Sequence, residues 1–296
     1  MSQLSATQNL KLAEKGAWLS IIVYIILSAI KLAGGRYFQS DALTADAYNN
    51  ISDIIGNIAV LLGLRLARRP ADREHTFGHW KIEDLASLIT SFIMFTVGIG
   101  ALQATIIKFF GESTPPIDLL GAVVGLLSAV VLFAVFLYNR RLSKKVQSKG
   151  LMASAKDNLA DAVTSLGTSI AIIAASVGFP IVDKIVAIII TIFIFKTAYE
   201  IFMESFFTLS DGFDQNLLTH YEAAILAIPQ IVEVKSQRGR TYGANIYLDV
   251  VITMNPNMSV YDSHAITEQV EDLLKTKHGV YDVDIHVEPA ALTIDE

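Results

Sequence analysis

The sequence predicts an α-helical membrane protein: six transmembrane helices followed by a small cytosolic α+β domain of order αββαβ, ferredoxin-like. Three observations carry this reading. Hydrophobic residues make up 52% of the 296 and the mean hydropathy is +0.47, more apolar than one soluble domain can bury. The apolar runs are about 20 residues long, which is what a hydrocarbon core about 30 Å thick demands of a helix. They stop near Phe207, after which the pattern is mixed, so the chain divides into a membrane domain, 1–209, and a cytosolic domain, 210–296.

The spans are expected at roughly 13–33, 42–66, 85–110, 119–138, 151–177 and 181–207. Gly34-Gly35, Pro70, Pro115-Pro116 and Gly178-Phe179-Pro180 interrupt the helical pattern between them. Arg65, Arg68, Arg69, Arg73 and Lys81 crowd the second connection, and Arg140, Arg141, Lys144, Lys145 and Lys149 the fourth. The positive-inside bias puts those loops in the cytosol. Lys11 and Lys15 place the N-terminus on the same side, and an even number of spans returns the C-terminus to it. The opening MSQLSATQNLKLAEKG has neither the apolar core nor the cleavage site of a signal peptide, so the first span is expected to be retained.

From residue 210 the expected order is a helix at 215–228, strands at 232–237 and 244–254, a helix at 260–277 and a strand at 280–287. This tail holds fourteen Asp and Glu against five Lys and Arg, which argues against nucleic acid as a partner. The absence of cysteine excludes a disulfide framework and thiolate metal ligands, leaving oxygen and imidazole as the possible donors.

Ionisable groups inside spans are costly and usually face the bundle interior. Asn49 and Asp53 in the second span are four residues apart, as are Asp157 and Asp161 in the fifth, so each pair shares a helix face. The two segments match at a constant offset, Asn49 with Asp157, Asn50 with Asn158 and Asp53 with Asp161, and transporter sites tend to form at such repeat interfaces. Asn and Asp can also bind membrane helices together by hydrogen bonds. Three buried carboxylates with no matching buried Arg or Lys, however, call for a cation or protons. Lys156 is about 100° around the helix from Asp157 and is a poor neutraliser. Asp46 lies on the Asn49 and Asp53 face nearer the outer end, as pathway residue or cap.

These residues resemble the cation diffusion facilitator family over essentially the whole chain. The likeness rests on the run from Ala45-Asp46-Ala47-Tyr48-Asn49 to Asp53, on Asp157 to Asp161, and on the connection Pro70-Ala71-Asp72-Arg73-Glu74-His75-Thr76-Phe77-Gly78-His79-Trp80-Lys81. The resemblance implies a transport site of Asn49, Asp53, Asp157 and Asp161. It also implies a loop metal site of Asp72, His75 and His79, with Trp80 where a Gly is usual, and cytosolic metal positions at Asp249, His264, His286 and Glu288, with Asp249 where His is usual. Lys81 and Asp211 match positions that interlock the two parts of family members, which are homodimers. His220 and His278 read as solvated.

The family implies divalent metal efflux, with the metal as substrate and no cofactor. An all-oxygen site suits Mn²⁺, and the Asn-Asp plus Asp-Asp arrangement resembles manganese-exporting bacterial members; Zn²⁺ and Fe²⁺ are the alternatives. Alternating access with proton antiport is the expected mechanism, since emptying a site of three buried carboxylates is costly unless protons replace the ion. A membrane-anchored metal sensor would use the cytosolic ligands but gives no reason for acids in two spans. A metalloenzyme would need an open coordination position beside a base or nucleophile, which the sequence does not offer. The expected location is a bacterial plasma membrane, with both termini cytosolic.

Overall fold

The computed structural model describes residues 3–37, 41–110, 119–179 and 181–291; the breaks expected at Pro115-Pro116 and Pro180 lie outside them. Six long helices come first: α1 (Gln3–Tyr37), α2 (Asp41–Ala67), α3 (Lys81–Phe110), α4 (Leu119–Val146), α5 (Lys149–Ser176) and α6 (Ile181–Leu209). They are followed by α7 (Gln215–Leu226), β1 (Glu233–Tyr242), β2 (Asn245–Met254), α8 (Val260–Lys277) and β3 (Asp282–Pro289). The chain forms two compact units, Asn9–Phe206 on the one hand and Met1–Gln8 with Phe207–Glu296 on the other.

Several helices run past the expected spans because hydropathy marks only the apolar stretch. α4 continues through Arg140, Arg141, Lys144 and Lys145, good helix formers that need no lipid. Its end is closed by a left-handed residue, Gln147 at φ 54, with Ser148 N–H donating to Ser143 O at 3.0 Å. Gly178 (φ 91) with Phe179 N–H on Ala174 O, and Asp211 (φ 58) with Gly212 N–H on Phe207 O, close α5 and α6 in the same manner.

Among the described residues, five helices are long and apolar enough to cross a membrane; α5 matches them in length but carries Lys156, Asp157 and Asp161. Packing accounts for this. α5 lies against α2, α3 and α4. Its Ala162 clusters with Tyr24 and Leu27 of α1 and Leu132 of α4, while Ala153 and Ala160 cluster with Met94 of α3 and Ala198 and Ile201 of α6. A helix surrounded by the other five need not be apolar all round. Small residues let it come close to α4: a Cβ on Gly125 would sit 2.4 Å from Ser169 Oγ.

In the second unit the sheet order is β1-β2-β3, with β1 and β2 antiparallel and β2 and β3 parallel. β1 extends five residues past the expected strand. Its Gln-Arg-Gly-Arg segment is too polar to read as a strand, but it pairs with β2 across a tight hairpin at Gly243 (φ 60). Leu218, Tyr221 and Ile225 of α7 and Ile266, Val270 and Leu274 of α8 pack with Leu248, Val250, Ile252 and Met254 of β2. Both helices therefore cover one face of the sheet. Asp214 and Ser259 cap their N-termini.

Candidate metal centre in the helical bundle

Asp53 on α2 and Asp157 and Asp161 on α5 each offer a carboxylate oxygen, and these oxygens lie within 4.8 Å of one another. All three residues are buried, at 4%, 8% and 8% exposure. Asp161 is ~18 Å from the start of α5 and Asp53 ~21 Å from the end of α2 at 1.5 Å per residue, which is mid-span on both helices. Asn49, one turn from Asp53, donates from Nδ2 to Asp53 Oδ2 at 3.5 Å. A cavity opens at this point, and Thr90, Ile93, Met94 and Val97 of α3 and Ile194 of α6 complete its lining.

Behind the acids lies a buried polar network. Tyr24 of α1 donates to Asp161 Oδ2 and accepts from Asn158 Nδ2 at 3.0 Å. Asn158 Oδ1 accepts from Ser20 at 3.0 Å and from Asn139 of α4 at 3.2 Å. Asn57 of α2 donates to Asp157 Oδ2 at 3.4 Å and to the carbonyl of Asp53 at 2.9 Å, and accepts from Ser154. Sequence reasoning passed over Tyr24, Ser20, Asn57 and Asn139. The available signal was the cost of polar side chains inside apolar runs, which is ambiguous for Ser, Tyr and Asn.

A buried cation is present after all. Lys31 of α1 is fully buried and sits 2.7 Å from Asp46, which corrects the expectation that the bundle acids have no buried lysine near them. Its partner is Asp46 rather than the clustered three, so Asp46 is an ion-pair residue at the outer side of the site. Lys156 turns away from Asp157 and meets Glu204 of α6 at 3.3 Å and Glu200 at 3.9 Å.

The α2–α3 connection gathers Asp72, His75 and His79 within the same 4.8 Å. Asp72 Oδ1 accepts the backbone N–H groups of Glu74 at 3.0 Å and His75 at 2.7 Å. The backbone hydrogen bond from His75, seconded by that from Glu74, holds the Asp72 carboxyl below its ordinary pKa. His79 Nδ1 lies 3.2 Å from Pro70 O, a carbonyl that can only accept, so the ring is oriented by the backbone of the connection. Its Nε2 faces Asp72 Oδ2 at 3.4 Å. Trp80 is buried immediately behind.

The cytosolic positions do not converge in the same way within one chain. Asp249, His286 and Glu288 lie on the sheet face that the helices leave uncovered, whereas His264 is on α8 beside Glu268, in the other layer. Glu288 is opposite Thr253, four residues along β2 from Asp249 and ~13 Å away. Asp249 is 3.5 Å from Arg240, and Glu288 is hydrogen-bonded by Lys235, which holds its carboxyl below the ordinary range. His220 and His278, expected as merely solvated, pack edge to face with centroids 4.9 Å apart, and burial lowers the His278 pKa. Lys81 opens α3 and Asp211 closes α6.

Long helices enclosing mid-span carboxylates, with a soluble α+β domain after them, define a multi-pass membrane transporter. Comparison with known proteins gives its family. Residues 17–210 match the cation efflux transmembrane domain and residues 214–290 the cation efflux protein cytoplasmic domain. The chain is 40% identical over 286 residues to the uncharacterized transporter YdbO of Bacillus subtilis, covering 97% of this chain and 99% of that one. It is 40% identical to the manganese efflux system protein MneS (95% and 97% covered) and 29% identical to the manganese efflux system protein MneP (96% and 98%), both of the same organism. The chain belongs to the cation diffusion facilitator family: it is a cation efflux transporter with a cytoplasmic C-terminal domain.

Proposed function

We propose that this protein exports Mn²⁺ from the cytosol by proton-coupled alternating access, working as a homodimer in a bacterial plasma membrane with both termini cytosolic. The observation that carries the reading is the set of three carboxylates with oxygens within 4.8 Å, Asn49 beside them and no imidazole among them. Hard oxygen donors suit Mn²⁺, whereas imidazole favours Zn²⁺. The names of two relatives, both manganese efflux proteins, support the same metal. Their family also supports the homodimer. Coupling to protons follows from electrostatics: once the ion leaves, three carboxylates in a buried cluster repel one another, and protons relieve that repulsion. The loop triad of Asp72, His75 and His79 is read as a second, cytosolic-side metal site, and Asp249, His264, His286 and Glu288 as a set that would need ligands from two chains.

Uptake of Mn²⁺, Zn²⁺ and Fe²⁺ into proteoliposomes tests the reading. Asp161→Ala is expected to lower Mn²⁺ uptake about a hundredfold, and Asn49→His to shift preference toward Zn²⁺. An imposed pH gradient should alter Mn²⁺ uptake at fixed metal and move protons in return. Normal transport by Asp161→Ala would overturn the site, and indifference to the gradient would overturn the coupling.

A further inference from the structure

Each of the three bundle carboxylates has one oxygen engaged by a neutral donor of the protein. Tyr24 donates to Oδ2 of Asp161, Asn57 to Oδ2 of Asp157 and Asn49 to Oδ2 of Asp53. Tyr24 and Asn57 are themselves fixed from behind. The Tyr24 oxygen already accepts from Asn158, so its own hydrogen is directed to Asp161; the Asn158 amide is oriented in turn by Ser20 and Asn139, which donate to its carbonyl oxygen. Asn57 accepts from Ser154 through its oxygen, which turns its NH₂ toward Asp157. Tyr24 is 0% exposed and Asn57 1%, so water cannot readily substitute for either donor.

The ion-facing consequence is a limit on coordination. An oxygen already holding a hydrogen bond is a poorer ligand, and a carboxylate clamped at one oxygen presents the other alone. Three such carboxylates and the Asn49 carbonyl supply four protein oxygens. Ca²⁺ gathers about six to eight oxygens and commonly takes both from a carboxylate. We infer that Tyr24 and Asn57 are positioning residues that hold Asp161 and Asp157 to one oxygen each toward the ion, and thereby discriminate against Ca²⁺. The inference rests on the reading of these acids as the transport site.

Proteoliposome transport by the full-length protein tests it, with Mn²⁺ as substrate and Ca²⁺ as competitor. Tyr24→Phe deletes one hydroxyl. It is expected to raise the KM for Mn²⁺ about tenfold with kcat within about twofold, and to lower by about tenfold the Ca²⁺ concentration that halves Mn²⁺ uptake. General structural damage would lower kcat and leave the Ca²⁺ to Mn²⁺ ratio where it was. Asn57→Ala removes the donor to Asp157 and should move the same ratio in the same direction, so the test survives a poorly folding Tyr24→Phe. An unchanged ratio in the folded variants overturns the inference. Asp161→Ala separates the two levels: if it abolishes uptake while Tyr24→Phe is silent, only the positioning role fails; if it transports normally, the site itself is misassigned.

Discussion

At the scale of single residues, the Lys31–Asp46 pair is the most exacting feature outside the acid cluster. A fully buried ammonium 2.7 Å from a carboxylate is tolerable only while the partner remains. Asp46→Asn, which strands the buried ammonium, is expected to lower stability by about 3 kcal/mol, whereas Asp46→Asn with Lys31→Met should recover most of the loss. Thermal unfolding in detergent checks both. The residues that form the acid cluster were legible because acids at four-residue spacing inside an apolar run are costly in lipid and so turn to the bundle interior. Lys31, Tyr24 and Asn57 were not, because their significance depends on which helices pack together. Tyr24 and Asp161 are 137 positions apart, and nothing in either local pattern joins them. The loop triad could be named from its motif, but the Pro70 carbonyl that orients His79 is a matter of backbone folding.

At the scale of elements, the start of α5 is set by its neighbour. Glu83, in the first turn of α3, accepts the backbone N–H of Gly150 at 3.0 Å and the hydroxyl of Ser148, and Ser148 accepts the N–H of Leu151 at 3.1 Å. The free N–H groups of a helix N-terminus are thus satisfied by a carboxylate from a different helix. Glu83→Ala is expected to destabilise the bundle by about 2 kcal/mol through the stranded buried donors, and Glu83→Gln by less, with protease resistance of the α4–α5 connection as the readout. The order of elements was readable from periodicity, although α1 runs through the Gly34-Gly35 pair expected to break it and ends at Tyr37. Their ends were less so: α4 outlasts its apolar stretch, and β1 becomes a full strand through pairing with β2 despite its polar sequence.

At the scale of the whole molecule, α5 is the helix about which the bundle is organised, since it packs against α2, α3 and α4 and shares apolar clusters with α1 and α6. The polarity that suits it to this position has a consequence for biogenesis. In partitioning from the translocon into lipid, an Asp at the centre of a lone helix costs about 2.5–3.5 kcal/mol, and α5 carries Asp157, Asp161 and two Lys in its first half. It is therefore ill-suited to leave the translocon by itself. α4 precedes it across a connection of only Gln147 and Ser148 and meets it through small residues. The two are expected to enter the bilayer together as a hairpin. Glycosylation mapping in a host protein should find α5 alone largely translocated and the α4–α5 pair inserted. The same mapping with Asp157→Leu and Asp161→Leu should let α5 insert unaided, which would place the demands of a buried acid cluster and of membrane insertion in direct opposition on one helix.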